Sequence, residues 1–286
     1  MTQNSNAVAG TADFVVSLDR LESLAPAVDE TSLVVSWFGT DLRASVCQIL
    51  PKVDQPAKST TPEWRVNGVL RAAAPLVSSV AGKAAFGGTP TDASVVEAIT
   101  ELKARGKSVT FYPFVMMDIP NGNALPNPYS NNAATNGQAV YPWRGRLTCS
   151  PAAGFTGTVD KTAAAATQVA TFFGTATPAQ FSVVGTEVSW TGSPTHWGYR
   201  RMILHYAYLC AAAGGVDAFL IGSELRGLTT IRSNASTYPT VAALKTLAAD
   251  VSAILGPSCK VSYAADWSEY FGHQPGDGTN DVFFHL

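Results

Sequence analysis

The chain is poor in charged residues. Asp, Glu, Lys and Arg make up 14% of its 286 residues, the formal net charge is -2, and no stripe of Lys and Arg is visible. Proteins that bind nucleic acid or an anionic membrane surface concentrate positive charge on one face. The sequence therefore predicts no nucleic-acid partner and favours an uncharged ligand.

Long apolar runs are also missing. No run reaches the roughly 18 residues that cross a bilayer. Residues 1–6 are polar and lack the basic region and the apolar core of a signal peptide. These absences predict a chain that has no membrane span and is made in the cytoplasm.

Cysteine is scarce and dispersed. Cys47, Cys149, Cys210 and Cys259 form no C-x-x-C pair and have no histidine at ligand spacing, which argues against a disulfide framework or a zinc site. We expect ordinary buried thiols, no metal, and a structural role for His205 on a predicted helix. The sequence also lacks a P-loop, a dinucleotide fingerprint and a G-x-S-x-G elbow, so we predict no cofactor.

What the sequence has is the alternation of helical and strand patterns that is typical of parallel α/β folds. The clearest unit begins at Thr91-Asp92, places apolar residues at helical spacing as far as Leu102, ends at Gly106 and resumes as a strand over residues 108–114. Two further units lead to strands over residues 218–221 and 260–265, both expected to be buried on two faces. An earlier strand covers residues 32–37.

These units predict an α/β fold of the TIM (β/α) barrel-like kind. One barrel uses about 250 residues, so we assign residues 14–286 to one domain and residues 1–13 to a linker or disordered segment. Since only four strands can be read and eight close a barrel, we expect an incomplete barrel without its C-terminal strands. Residues 51–87, 120–143 and 173–197 form long loops, of a length that is usually functional or disordered. A helix near residues 160–172 and a small hairpin at 182–190 are also predicted.

Each predicted strand ends in at least one carboxylate, and aromatic residues accompany most of them. The carboxyl ends of parallel strands are where ligands bind in such folds. Paired carboxylates with stacking rings suit glycosidic bond cleavage, because one acid protonates the leaving oxygen and another attacks or activates water. We assign three candidate catalytic residues, Glu224, Asp266 and Glu269.

Glu224 is the best catalytic candidate, because it follows an apolar strand and a position partly withdrawn from water suits a general acid. The candidate sugar platforms are Trp37, Tyr112, Trp143, Trp267 and Tyr270. The candidate polar substrate contacts are Asp41, Arg43, Asp118 and Arg226. The alternative is that these charges pair with one another, for example Glu224 with Arg226 or Asp41 with Arg43.

Six blocks of sequence carry a resemblance to a known family. They lie at residues 34–43, 86–90, 112–120, 141–146, 215–227 and 263–270, and together they resemble the glycoside hydrolase TIM-barrel-like domain of large tail proteins in gene transfer agents and related tailed phages. The resemblance implies a domain of a baseplate or tail-tip protein that is assembled into a phage-like particle. Its implied partners are the remaining segments of that protein, other tail subunits and cell-envelope polysaccharide.

The sequence departs from the wider barrel hydrolases in two places. Those enzymes often place Asn before the acid at the fourth strand, where this chain has Ser223, and they take a second glutamate from a late strand, which would lie beyond Leu286. A non-catalytic structural or saccharide-binding module of the tail tip therefore stands as the alternative to a hydrolase.

Overall fold

The computed structural model describes residues 5–6 and 10–282. Its helices are α1 (Asp13–Leu24), α2 (Asp92–Ala104), α3 (Ala163–Phe173), α4 (Tyr199–Ala212), α5 (Arg226–Thr229) and α6 (Pro239–Leu255). Its strands are β1 (Glu30–Gly39), β2 (Ile49–Leu50), β3 (Arg65–Val66), β4 (Val69–Leu70), β5 (Ser79–Val80), β6 (Lys83–Ala84), β7 (Ser108–Met117), β8 (Phe181–Val184), β9 (Glu187–Trp190), β10 (Ala218–Ser223) and β11 (Lys260–Ala264).

The central sheet has the strand order β11-β10-β7-β1-β2. The first four strands of this order pair in parallel, and β2 pairs antiparallel with the end of β1. These four parallel strands are the ones that the sequence predicts, and α2, α4 and α6 precede three of them. The α/β fold is confirmed, with a parallel, barrel-like sheet that does not close within the described residues.

The unit of α2 and β7 shows how the local sequence produces this architecture. Apolar residues at helical spacing bury one face of α2, and Gly106 then adopts a φ of 72°, a conformation that glycine enters without steric cost. The chain reverses there and enters β7, in which every second residue is buried. The predicted helix, its glycine end and the strand that follows are all confirmed.

The two faces of the sheet have different environments. On the outer face α4 packs against the strands, where Phe111 stacks on Phe219 with ring centroids 5.7 Å apart. Trp37 donates a hydrogen bond from its indole N–H to the hydroxyl of Tyr206 at 2.8 Å. The inner face, which would point into a closed barrel, is only partly covered, and Val34 in β1 is 50% exposed.

The prediction that the last two parallel strands are buried on both faces is wrong for β11. Lys260 and Ser262 are exposed, and Val261 and Tyr263 are only partly buried. Among the described residues β11 pairs with β10 alone, so water reaches the strand from its free edge. An apolar groove of about 650 Å³ lies between α1 and α2 and is lined by residues 33–35 of β1.

The long loops contain small ordered elements. The predicted hairpin is present as β8 and β9, the predicted helix as α3, and two further hairpins, β3–β4 and β5–β6, lie between β2 and α2. The four cysteines are free and buried, as predicted. Residues 1–4 and 7–9 of the predicted N-terminal linker, and residues 283–286, lie outside the described residues. None of the described helices has the length and hydropathy needed to cross a membrane.

Candidate functional site

Glu224 is the first residue after β10, and its backbone adopts the left-handed conformation, with a φ of 50°. Residues other than glycine rarely adopt this conformation, which costs on the order of 1–3 kcal/mol and persists only where the surroundings enforce it. The backbone N–H of Glu224 donates to the carbonyl of Ala264 in β11 at 2.9 Å. The side chain is thereby held at the carboxyl end of the parallel sheet.

The carboxylate of Glu224 has two donors from one distant loop. Its Oε2 accepts a hydrogen bond from the indole N–H of Trp143 at 2.7 Å. The same oxygen forms an ion pair with Nη2 of Arg144, also at 2.7 Å. The Glu224 side chain keeps 33% of its surface exposed, and Trp143 keeps 41%. An acidic group and an indole ring are therefore open to solvent side by side.

Arg144 lies beneath this pair and is buried. Its Nε donates to the carbonyl and the hydroxyl of Ser223 at 3.0 and 2.9 Å, and its Nη2 donates to the hydroxyl of Tyr112 at 3.2 Å. The guanidinium also lies 3.8 Å from the ring centroid of Phe114, a cation–π geometry. Arg144 thus connects the loop to the inner faces of β7 and β10, and its planar fork satisfies several acceptors at once.

Two glycines make room for close contacts, one within the loop and one between the loop and α5. A Cβ at Gly145 would lie 2.4 Å from the indole of Trp143, and a Cβ at Gly227 in α5 would lie 2.4 Å from the carbonyl of Leu147. A Cβ at position 145 would displace the ring of Trp143, whereas a Cβ at position 227 would collide with the main chain, so Gly227 requires glycine or a shift of the chain. The loop and α5 therefore approach each other through a main-chain contact at Gly227.

A cavity of about 220 Å³ adjoins these residues. Trp143 and Arg144 line it together with Phe86, Phe114 and Tyr141. Ligand pockets usually have about 300–1,000 Å³, so an extended ligand bound here would lie mostly along the surface.

The other two catalytic candidates are engaged in local structure. Glu269 is 1% exposed, and burial raises its pKa, although hydrogen bonds from Thr229, Asp266 and Tyr263 oppose that rise. This burial contradicts a direct catalytic role for Glu269, because substrate cannot reach its carboxylate. Asp266 is half-buried and accepts hydrogen bonds from the backbone N–H and the hydroxyl of Ser268. Burial opposes its ionisation, but these hydrogen bonds outweigh that effect and lower its pKa.

Three predicted substrate contacts are corrected by their burial, since Trp37, Asp41 and Asp118 are 0%, 3% and 5% exposed. Trp37 faces α4 on the outer face. Asp41 forms an ion pair with Arg43 at 2.7 Å, which was the alternative reading of these two residues. Asp118 pairs with Lys52 at 2.7 Å. These carboxylates stabilise the loops after β1 and β7.

The remaining predicted residues lie either beside Glu224 or exposed at the surface. Tyr112 and Trp143 lie with Glu224, as described above. Arg226 is exposed on α5, and the ion pair suggested between it and Glu224 is replaced by the one with Arg144. Trp267 and Tyr270 project into solvent from the turn after β11, with 83% and 56% of their surfaces exposed. Rings this exposed are free to stack on a ligand.

His205 has the structural role that was predicted for it. It is fully buried, its Nε2 lies 2.9 Å from Asp92, and its Nδ1 lies 3.1 Å from the amide of Asn67. In residues 5–6 and 10–282, no group of three or more His, Cys, Asp or Glu side chains is placed to hold a metal ion.

A comparison with protein families matches the last part of the chain. Residues 197–286 match the GTA TIM-barrel-like domain. This match confirms the resemblance to the gene transfer agent domain for that segment, which contains α4, β10, Glu224 and β11. No curated protein sequence matches the chain.

A comparison with solved structures found a complex of a GH113 beta-1,4-mannanase. It shares 12% sequence identity with this chain at a TM-score of 0.44, and the alignment covers 97% of this chain and 58% of the mannanase chain. The chain therefore spans less than two thirds of the length of that enzyme.

Proposed function

We propose that this chain is a glycoside hydrolase-like domain of a phage or gene transfer agent tail protein, and that it engages cell-envelope polysaccharide at the carboxyl ends of its parallel strands. The observation that carries the proposal is the placement of Glu224, whose strained backbone holds an ion-paired, partly exposed carboxylate beside the exposed ring of Trp143. The match of residues 197–286 to the GTA TIM-barrel-like domain supports the tail context.

The chemistry of these groups suits a sugar. The indole of Trp143 offers an apolar surface on which the C–H face of a pyranose ring can stack, and the carboxylate of Glu224 accepts hydrogen bonds from hydroxyl groups. Trp267 and Tyr270 offer further stacking surfaces at the neighbouring strand end. As the acceptor of an ion pair with Arg144, Glu224 is better placed to bind hydroxyls or to stabilise developing positive charge on the sugar than to donate a proton.

Saccharide binding without hydrolysis is the second candidate, and the state of the other two acids favours it. Hydrolysis needs two carboxyl groups about 5–10 Å apart across the scissile bond. Glu269 is buried, and Asp266 is engaged by Ser268, so neither acid faces a bound sugar freely. Hydrolysis would need another carboxylate opposite Glu224.

A binding assay combined with a product assay tests both candidates. Titration calorimetry with solubilised cell-envelope polysaccharide should show binding that Glu224→Gln and Trp143→Ala each weaken by at least about tenfold, since aromatic anchors dominate such sites. Glu97→Gln, an exposed carboxylate of α2, is the matched control and should bind normally.

Release of reducing sugar ends from the same material then separates the two candidates. Release that disappears in Glu224→Gln establishes a hydrolase, whereas binding without release establishes a binding module. If the unaltered chain neither binds nor releases sugar, the proposal of a polysaccharide site is wrong.

The tail context has its own test. We expect antibodies against this chain to detect it in purified phage-like particles, together with the other tail subunits that are its proposed partners. Particles that infect or transfer genes normally without containing the chain would contradict the assignment to a tail.

A further inference from the structure

A buried carboxylate lies at the centre of a hydrogen-bond network behind Glu224. Glu269 Oε1 accepts from the hydroxyls of Thr229 at 2.5 Å and Tyr263 at 3.0 Å, and its Oε2 accepts from the backbone N–H of Asp266 at 2.9 Å. These three donors belong to α5, to β11 and to the turn after β11. Glu269 therefore joins the segments on both sides of the candidate site.

Tyr263 carries this network to the main chain beside Glu224. Its hydroxyl accepts a hydrogen bond from the backbone N–H of Leu225 at 2.6 Å while it donates to Glu269. Burial raises the pKa of the Tyr263 phenol, so the hydroxyl keeps its proton and remains a donor. The peptide group after Glu224 is thus fixed by a side chain of β11.

The peptide group before Glu224 is fixed by the same strand, since the N–H of Glu224 donates to the carbonyl of Ala264. Both main-chain groups that flank the left-handed residue consequently bond to β11. A strained conformation persists only where its surroundings enforce it, and these two hydrogen bonds enforce it here. In this conformation the Glu224 carboxylate reaches Trp143 and Arg144.

We propose that Tyr263 and Glu269 are positioning residues, which hold Glu224 in the left-handed conformation that places its carboxylate against Trp143 and Arg144. Glu269 itself does not contact the saccharide. The effect of this positioning on saccharide binding rests on the function proposed above, whereas its effect on the conformation of Glu224 does not.

The test uses Tyr263→Phe and Glu269→Gln in the full chain, with two readouts. The first is nuclear magnetic resonance of the backbone amide of Leu225 and of the indole N–H of Trp143, which reports the hydrogen bond to Glu224. The second is the Kd for solubilised cell-envelope polysaccharide. Tyr208→Phe is the matched control, because it removes a tyrosine hydroxyl that bonds to the main chain away from Glu224, where it donates to the carbonyl of Pro178.

In Tyr263→Phe we expect the Leu225 amide to exchange about tenfold faster, the Trp143 indole resonance to shift, and the Kd to rise about tenfold, as the loss of one buried hydrogen bond predicts. Glu269→Gln should produce smaller changes in the same direction, and Tyr208→Phe should change none of these readouts. If Tyr263→Phe does not fold, Glu269→Gln carries the test, because it keeps the tyrosine in place.

Unchanged Leu225 exchange and an unchanged Trp143 resonance in folded variants would overturn the positioning roles. A shifted Trp143 resonance in a chain whose parent binds no polysaccharide would support the positioning roles and contradict the proposed function.

Discussion

Replacement of Gly222 by alanine tests how closely α4 packs on the strand that leads to Glu224. A Cβ at this position would lie 2.6 Å from the hydroxyl of Tyr199, about 1 Å closer than the roughly 3.5 Å at which heavy atoms pack. That hydroxyl is buried and donates to the carbonyl of Ile221 at 3.0 Å. Gly222 has no positive φ, so the clash with Tyr199 decides the effect of the substitution.

We expect Gly222→Ala to lower the free energy of unfolding by about 1–3 kcal/mol, the usual cost of overpacking a core. Tyr199→Phe alone should cost about 1 kcal/mol through its lost hydrogen bond. The double variant should cost less than the sum of the two by about 1 kcal/mol, because the clashing hydroxyl is then absent. Urea unfolding with an unchanged m value measures all three effects. Strictly additive costs would refute the close contact.

Three further predictions concern other parts of the molecule. Asp92→Ala should lower the free energy of unfolding by about 3 kcal/mol, because it removes the buried hydrogen bonds of Asp92 to His205 and to the backbone N–H of Asn67. Glu97→Ala, at an exposed position, should change this free energy little in the same urea assay. Burial raises the pKa of Glu269, so protonation of Glu269 stabilises the fold; this contribution is complete below about pH 4.3, the pKa of an unfolded glutamate, and is lost as the pH rises through the raised pKa. The free energy of unfolding of Glu269→Gln should therefore rise relative to that of the parent between pH 4 and pH 7. A difference that stays constant between the two pH values would contradict this sign. Burial raises the pKa of the Cys47 thiol to about 12, so a thiol reagent should label the unfolded chain at all four cysteines but the native chain hardly at all, and rapid native labelling would contradict the buried packing.

The βα units were predictable because their signals are local. The apolar spacing of α2, the glycine at its end and the β-branched run of β7 are contained in some 25 consecutive residues. The position of Glu224 at a strand end was also predictable, since it depends only on where the strand ends. Its partner Arg144 was missed, because 79 residues and an irregular loop separate it from Ser223, whose carbonyl it binds, and no periodic pattern extends across that distance. The signal available in the sequence was the short run Trp143-Arg144-Gly145, in which an aromatic and a basic residue precede a glycine.

The error at Trp37 has a different cause. Successive side chains of a strand alternate between its two faces, and Trp37 shares the outer face with Val35. The sequence from residue 33 to residue 38 is almost uniformly apolar, so it gives no alternation from which to assign the faces. An aromatic residue near a strand end was therefore expected on the ligand side, although it packs against Tyr206 in α4.

The order of the parallel strands in the sheet, which equals their order in the chain, has a consequence for synthesis on the ribosome. Each new strand can add to a sheet that already exists. The backbone N–H of Leu225, however, donates to the hydroxyl of Tyr263, which lies 38 residues later in the chain. At about 5–20 residues per second, that interval is roughly 2–8 s. Trp143 and Arg144 leave the ribosome earlier still. Their loop therefore lacks a correctly placed Glu224 carboxylate until β11 has paired with β10.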